Sequence, residues 1–546
     1  MSNVDTSEAR RVPRWRTIAR WTVTSLAGLL VLLVLVAPSQ MGHLTPVAFL
    51  RIPVEALLVV ALVLVLPERR RLTAIVAGIV LGVLGVLKVV DMGFFAVLDR
   101  PFDPMGDWSF LDAAAVYLTK SSGRAVAVGF VIGAVVLAVL LVVLVTLAVL
   151  RLSRLVAAHR SVASRTVAAL AVVWVAFAVV GVRVGPGEPV AARASVDRLL
   201  QVRAGLQDRS VFAAESAVDN FRDSSSDLLT ALRGKDVIIA FVESYGRVAL
   251  EDPVIAPQVS AVLDDGSRRL TAAGYSSRSG YLTSPTAGGG SWLAQATLLS
   301  GLWVDNQQRY GALTGTDHLT LNGAFRRAGW RTVGIMPGVI QEWPESKFYD
   351  LDQIYAAKDL GYRGPNFSFA TMPDQYALSF FQRTERAKPD HAPVMAEIPL
   401  ISSHAPWAPV PPFLDWDAIG DGSVYQATAG AGDPADIVLR RDRTRVRNDY
   451  ANAISYSLKS LISYVELYGD DNLVVVFLGD HQPAPVVAGA GASRDVPITI
   501  VARDPAVLDR IAGWGWQDGL KPAPQSPVWR MDTFRDRFLT AFGPTG

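Results

Sequence analysis

The first third of the chain leaves its backbone little choice. Apolar runs rich in Val, Leu and Ala recur at about 21–37, 53–66, 73–98, 125–150 and 166–184. Runs of ~20 such residues match a hydrocarbon core of ~30 Å. A backbone placed there must satisfy its own N–H and C=O groups, which a helix does. Five membrane helices are therefore expected within residues 1–190, the run at 53–66 being the shortest. No small-residue cleavage site follows the first run, and further runs do, so it reads as an anchor rather than a removable leader.

Basic residues set an expected orientation. Arg10, Arg11, Arg14, Arg16 and Arg20 precede the first run, Arg69, Arg70 and Arg71 follow the second, and Arg151, Arg154, Arg160 and Arg165 follow the fourth. If every run crosses once, all three groups share one side, the cytoplasmic one. The loops at 38–52 and 99–124 and everything after the fifth run then lie outside. The expectation is a multi-pass cell-membrane protein with an extracytoplasmic carboxy-terminal domain. Glu55, Lys88 and Asp91 fall near run ends, where snorkelling to the interface is expected. The 99–124 segment, with Trp108, Phe110 and Tyr117, reads as an interfacial amphipathic stretch or a plain loop.

Composition changes near residue 190. Residues 192–222 place Val196, Leu199, Leu200, Val202, Leu206, Val211 and Phe212 at helical spacing, which predicts a juxtamembrane helical linker over 191–230. Asp223 to Asp227, with three serines between, marks a break. A globular domain follows over 231–546. Its β-branched runs at 237–242, 332–336, 393–401, 473–479 and 497–502 alternate with helical patterns at 292–300, 316–328, 373–387 and 444–468. That alternation predicts an α/β domain with a mostly parallel central sheet. A net charge of +2 gives no basic field for nucleic acid. The absence of cysteine excludes disulfides and thiolate metal sites.

In such sheets the active site lies off the carboxyl ends of the strands. Glu243, His404 and the pair Asp480-His481 each sit at the end of a predicted strand. Carboxylates with an imidazole suit Mn²⁺, Zn²⁺ or Mg²⁺; the bland reading makes Asp480 a turn cap and His481 a loop residue. Ser291 follows Gly288-Gly289-Gly290 and opens a helical stretch, where backbone N–H groups and the helix dipole favour an anion. It is equally an ordinary N-cap serine, and Ser284 and Thr286 are rival hydroxyls. His404 suits a phosphoryl contact or a general acid, or is a surface histidine on a Pro-rich loop. Arg247 is placed to hold an anion, or is a solvated arginine. Trp343 and Lys347 are candidates for a substrate groove, with core packing as the other account of Trp343.

Taken together, FVESYGR, GGGSWLAQATLLSGL, SSHAPW and VFLGDHQP resemble the alkaline phosphatase superfamily, in the branch of membrane-anchored lipoteichoic acid synthases and their sulfatase-like relatives. The resemblance implies five spans, a linker helix and a sulfatase-fold domain. It implies one divalent metal, usually Mn²⁺, held by Glu243, Ser291, Asp480 and His481, with His404 facing the substrate. The distance from Ser291 to the LLSG segment at 298–301 is similar to the sulfatase pattern, which selects Ser291 over Thr286. MPDQYAL at 372–378 is similar to a helix start of the family. The chain departs from it in having serine where this branch usually has threonine. Trp-Leu-Ala-Gln follows Ser291 where formylglycine sulfatases carry x-Pro-x-Arg, and Trp343-Pro344-Glu345 stands where a Trp-x-Arg is usual. The implied activity is a metal-dependent transferase or hydrolase on phosphate esters of lipid or envelope-polymer head groups, through a phospho-serine. The alternatives are a phosphoethanolamine transferase, a sulfatase- or phosphatase-type hydrolase, and an inactive envelope-binding protein.

Overall fold

The computed structural model describes all residues except 1–13, 51–52, 181–190, 225–226, 368, 389, 429–441 and 545–546. The chain divides into two compact units, Met1–Ala96 with Arg100–Leu206, and Val97–Asp99 with Gln207–Gly546.

The first unit is helical. Among the described residues three helices are long and apolar enough to cross a membrane: Arg14–Val36, Arg70–Leu98 and Arg124–Ala158. Three of the five expected runs thus form such helices, and the other two are not confirmed as spans. The second run forms a helix of only 12 residues, Val54–Val65, roughly 18 Å at ~1.5 Å per residue. Pro53 and Pro67 bound it. The fifth run is helical over Arg160–Val180, but Arg160 and Arg165 occupy its start and residues 181–184 lie outside the described residues. Arg10 and Arg11 lie outside them too. The 99–124 segment contains the helix Trp108–Ser122.

Two membrane charges have structural partners instead of snorkelling. Lys88 is buried, and its Nζ donates to the carbonyls of Val34, Leu35 and Ala37 at 2.9, 3.2 and 2.8 Å. It thereby satisfies the free carbonyls at the end of helix Arg14–Val36. Asp91 accepts from the Phe102 amide at 2.9 Å. The sequence reading also passed over Gly78 and Gly82. A Cβ on either would come within 2.6 Å of the Thr146 Cα or 2.7 Å of the Val142 Cα. This small-x-x-x-small pair lets helix Arg70–Leu98 lie against the backbone of Arg124–Ala158.

The second unit is built on one nine-stranded sheet. Its strands are β1 (Asp236–Val242), β2 (Ser276–Thr283), β3 (Arg331–Met336), β4 (Gln353–Ala356), β5 (Val394–Leu400), β6 (Leu473–Gly479), β7 (Asp495–Ala502), β8 (Gln517–Asp518) and β9 (Val528–Arg530). The order is β4-β3-β5-β1-β6-β7-β2-β8, with β9 beside β2. From β4 to β6 all pairings are parallel, whereas β6-β7, β7-β2 and β2-β8 are antiparallel and β9 runs parallel to β2. Helices cover both faces. In β1, Ile238, Ala240 and Val242 face a core built with helices Ala256–Ala272, Asp374–Phe381 and Arg443–Tyr468. Val237, Ile239 and Phe241 face a second core, built with Ser291–Ser300, Leu321–Arg327 and Phe534–Phe542. Burial on both faces is why these strands read as unbroken apolar runs.

The five predicted strands form within a residue or two of their expected bounds. The helix expected at 316–328 starts only at Leu321, because Thr320 caps it by accepting from the Gly323 amide at 2.9 Å. The pattern at 373–387 splits into an α-helix to Phe381 and a π-turn over Gln382–Arg386.

One residue in the sheet carries an electrostatic cost. Glu397 of β5 is fully buried, accepts from Asn322 Nδ2 at 2.7 Å, and leaves Oε1 without a partner. Burial pushes its pKa up to about 7. The folded state therefore holds a proton that the unfolded chain releases near pH 4.5, and stability falls as pH rises from there to about 7. Glu397→Gln is expected to raise the melting temperature at pH 8, by roughly 1–3 kcal/mol of stability, and to change little at pH 4.5. Equal gains at both pH values would show that Glu397 is ionised in the folded protein.

Candidate active site

Adjacent parallel strands bring the acidic residues together. In the β1–β6 ladder Val242 lies opposite Gly479, so the next residues, Glu243 and Asp480, leave the sheet side by side. The chain makes this possible with close backbone approaches. A Cβ at Gly479 would lie 1.8 Å from the Tyr245 carbonyl oxygen, and one at Gly246 would run into the Gln482 side chain. Ser244 turns through a left-handed φ of 58°, and the turn aims its amide at Asp480 Oδ1, 2.7 Å away. The His481 amide donates to the same oxygen at 2.7 Å.

His481 is oriented from behind. Its Nδ1–H donates to the Gln482 carbonyl at 2.8 Å, leaving Nε2 directed at Glu243 Oε1 (3.3 Å) and Asp480 Oδ2 (3.7 Å). Such a carbonyl partner fixes the tautomer of a metal-binding imidazole. Glu243, Asp480 and His481 are all buried, and each offers a ligand atom within 4.8 Å of the others. Two carboxylates and one imidazole make a donor set that fits a divalent cation.

Taken alone, the three groups must share protons. Burial and the Glu243 charge push Asp480 up to about 7. Burial works to lower His481, but the two carboxylates outweigh it and raise the imidazole to about 9. Burial also opposes the Glu243 charge. The His481 charge and hydrogen bond, with help from His404 and the Ser244 hydroxyl, nonetheless hold Glu243 well below the usual carboxylate range.

Ser291 joins this group. Gly288 and Gly290 adopt φ of 73° and 80°, which glycine alone enters freely, and the helix Ser291–Ser300 starts directly after them. The Gly288 amide donates to the Gln482 carbonyl at 2.8 Å, drawing the glycine loop alongside Asp480-His481. Ser291 Oγ donates to Glu243 Oε2 at 2.9 Å and lies 3.3 Å from His481 Nε2. The rival hydroxyls are committed elsewhere. Ser284 Oγ donates to the Asp480 carbonyl at 2.6 Å, and Thr286 Oγ1 to the Gly289 carbonyl at 2.6 Å.

His404 is exposed in the loop after β5, its ring 5.1 Å from that of Phe369. It is near enough for its charge to lower the Glu243 carboxyl. The other candidates have structural engagements. Arg247 pairs with Glu251 at 2.7 Å and Asp495 at 3.2 Å and stacks over Tyr281, so its guanidinium is occupied rather than offered to an anion. Trp343 donates to Tyr310 Oη at 3.4 Å and packs 5.1 Å from the Tyr349 ring, the packing account of that residue. Lys347 is exposed in the turn Pro344–Tyr349. The sequence reading missed Ser244, Ser403 and Tyr450. Ser403 Oγ donates to the Glu243 carbonyl at 2.6 Å, and Tyr450 Oη to the Ser244 carbonyl at 2.8 Å. No local pattern marks residues whose work depends on which strands become neighbours.

No curated protein matches the sequence. Among solved structures, the lipoteichoic acid synthase LtaP from Listeria monocytogenes is 15% identical, with a TM-score of 0.39, covering 58% of this chain and 74% of its own. The Streptococcus pyogenes phosphoglycerol transferase GacH, in complex with sn-glycerol-1-phosphate, is 14% identical, with a TM-score of 0.34, covering 61% and 90%. The zinc complex of the C-terminal periplasmic domain of EptC from Escherichia coli is 13% identical, with a TM-score of 0.38, covering 57% and 82%. Residues 258–495 match the family model described as Sulfatase, a range that holds Ser291, His404, Asp480 and His481 and begins after Glu243. Over residues 258–495 the chain is thus similar to the sulfatase family.

Proposed function

We propose that this protein is a metal-dependent enzyme that transfers or hydrolyses phosphate esters of lipid or envelope-polymer head groups, with Ser291 as nucleophile. The observation that carries the reading is the Ser291 hydroxyl, hydrogen-bonded to Glu243 and facing His481 Nε2 in a buried set of ligand atoms. Glu243, Asp480, His481 and Ser291 Oγ would hold one divalent ion, Mn²⁺ by the family resemblance. Such an ion supplies a lowered hydroxyl pKa and charge stabilisation at the phosphoryl oxygens.

The chain's own groups do the rest. Ser291 Oγ gives its proton toward Glu243 and attacks phosphorus; the P–O bond to the leaving group breaks and a phospho-serine forms. His404, at the edge of the cluster, gives a proton to the departing oxygen. The hydroxyl of an acceptor, or water, then attacks phosphorus and passes its proton to His404, while Ser291 Oγ leaves with the proton returned from Glu243. The amides at the start of helix Ser291–Ser300 favour the anion throughout.

A lipid substrate is proposed because three helices long and apolar enough to cross a membrane would hold the enzyme at a bilayer and so raise its effective concentration at head groups. Its parts would be a membrane region over 1–190, a linker over 191–230 and a catalytic domain over 231–546. An extracytoplasmic catalytic domain rests on placing the arginines of 14–20, 69–71 and 151–165 on one side. That arrangement needs Val54–Val65 and Arg160–Val180 to cross or re-enter the bilayer as well.

Two measurements test the reading. Protein stripped with a chelator is expected to regain one Mn²⁺ or Zn²⁺ per chain by elemental analysis, with a rise in melting temperature. Asp480→Asn should lose both effects, and a wild-type protein that takes up no metal would refute the site. Ser291→Ala should lower turnover on the order of 10³-fold against glycerophospholipid, phosphoethanolamine lipid or aryl phosphate, whichever the wild type accepts. Unchanged turnover in that variant would remove Ser291 from the reaction.

A further inference from the structure

The loop that carries His404 is held at both ends by two consecutive side chains. Asp374 and Gln375 open the helix Asp374–Phe381, and both are buried, at 1% and 0% exposure. Asp374 makes a reciprocal pair with Ser402. Its amide donates to Ser402 Oγ at 2.9 Å, and the Ser402 amide donates to Asp374 Oδ1 at 2.9 Å. The other carboxylate oxygen accepts from Ser457 Oγ, on helix Arg443–Tyr468, at 2.6 Å. Gln375 makes a second reciprocal pair, with the backbone of Leu414. Its Nε2 donates to the Leu414 carbonyl at 2.9 Å, and the Leu414 amide donates to its Oε1 at 3.0 Å.

Ser402 and Leu414 bracket a segment with no regular secondary structure, containing His404 and four prolines. A free segment of this length samples many conformations. Here its entrance and exit are each fixed by two hydrogen bonds to one rigid helix start. Between them Ser403 Oγ ties the segment to the Glu243 carbonyl, and Trp407 is buried against Tyr450, whose hydroxyl reaches the Ser244 carbonyl. The position of His404 relative to Glu243 is thus set from two residues that touch neither. Buried groups at a helix amino terminus whose polar side-chain atoms, apart from the Asp374 oxygen taken by Ser457, are committed to one loop serve that loop more than the helix, since a serine at the cap would satisfy the helix by itself.

We propose that Asp374 and Gln375 are positioning residues that clamp the Ser402–Leu414 loop and thereby place His404 over the nucleophile. The placement of His404 at the reacting phosphate rests on the function proposed above; the clamp itself does not. A displacement of about 1 Å at a reacting group lowers turnover on the order of 100-fold.

The test uses the full chain in detergent, with Asp374→Ala, Asp374→Asn and Gln375→Ala, each alone and combined with His404→Ala. Amide exchange across 402–414 is expected to speed up at least tenfold in the alanine variants, and less in Asp374→Asn, which keeps the acceptor for the Ser402 amide. Exchange at 480–482 should stay as in the wild type. With bis(p-nitrophenyl) phosphate as probe, kcat should fall about 100-fold in Asp374→Ala with KM within about threefold. In the His404→Ala background the same change should cost under threefold, since the residues act through one group. Wild-type exchange rates over 402–414 in the Asn and Gln375→Ala variants overturn the clamp, even if Asp374→Ala does not fold. Losses that multiply with His404→Ala overturn the action through His404. A wild-type protein that leaves every phosphodiester intact refutes the proposed reaction, while the exchange measurement still decides the clamp.

Discussion

Two carboxylates and an imidazole sit in one buried space, and the rest of the α/β unit is organised around making that arrangement tolerable. Glu243 and Asp480 are 7% and 1% exposed, so water does little to screen them. Their mutual repulsion forces a choice between a proton and a cation. The raised Asp480 and His481 describe the proton solution. A divalent ion would replace those protons and complete the site, coupling metal affinity to pH. The backbone contributes as well, since the Ser244 and His481 amides converge on Asp480 Oδ1, a pattern that favours the ionised form.

The fold supplies this geometry through register. Residues 237 positions apart in sequence become neighbours because β1 and β6 are parallel and end together, Val242 against Gly479. The Gln482 carbonyl then does two things at once. It receives the His481 Nδ1 proton, which orients Nε2 inward, and it receives the Gly288 amide, which brings the loop before Ser291 to the same edge. A distortion at Gln482 would move His481 and Ser291 together. Gly246, where a Cβ would collide with Gln482, protects that coupling sterically.

Much of this was legible in the sequence, for a physical reason. Strands buried on both faces must be apolar throughout, so β1, β3, β5, β6 and β7 announce themselves, and polar residues at their ends are conspicuous. β2 was not legible. It reads SSRSGYLT and has an exposed first residue, and its polarity hides a strand lying between β7 and β8. Helix Ala256–Ala272 was missed because its buried stripe is narrow, Val259, Leu263, Gly266 and Leu270, and one of the four is glycine. Two of the five expected membrane spans are not confirmed, for the converse reason. Hydropathy marks apolar runs, but prolines at 53 and 67 shorten one of them. Lys88 was misread because its partners, the carbonyls at the end of the first helix, are set by packing between helices rather than by neighbours in sequence. Residues such as Ser403, Asp374 and Gln375 act only across loops, and no periodicity encodes that.

The choice among hydroxyls shows how structure sharpens a reading that sequence leaves open. Ser284, Thr286 and Ser291 lie within eight positions, and each is a plausible nucleophile by type. Two of them donate to carbonyl oxygens 2.6 Å away, bonds that hold the glycine loop in shape and leave the hydroxyl proton nowhere to go. Ser291 alone of the three donates to a carboxylate, which accepts a proton far more readily than an amide carbonyl does. It also stands first in its helix, where the free amides of the opening turn face outward. Ordering by proton acceptor and by anion site gives the same answer, and neither depends on resemblance to other proteins. The residues that follow, Trp292-Leu293-Ala294-Gln295, lack the x-Pro-x-Arg run that marks serine for oxidation to formylglycine. Under the proposed function the hydroxyl would react as encoded, and the intermediate would be a P–O bond to it rather than a hydrate of an aldehyde.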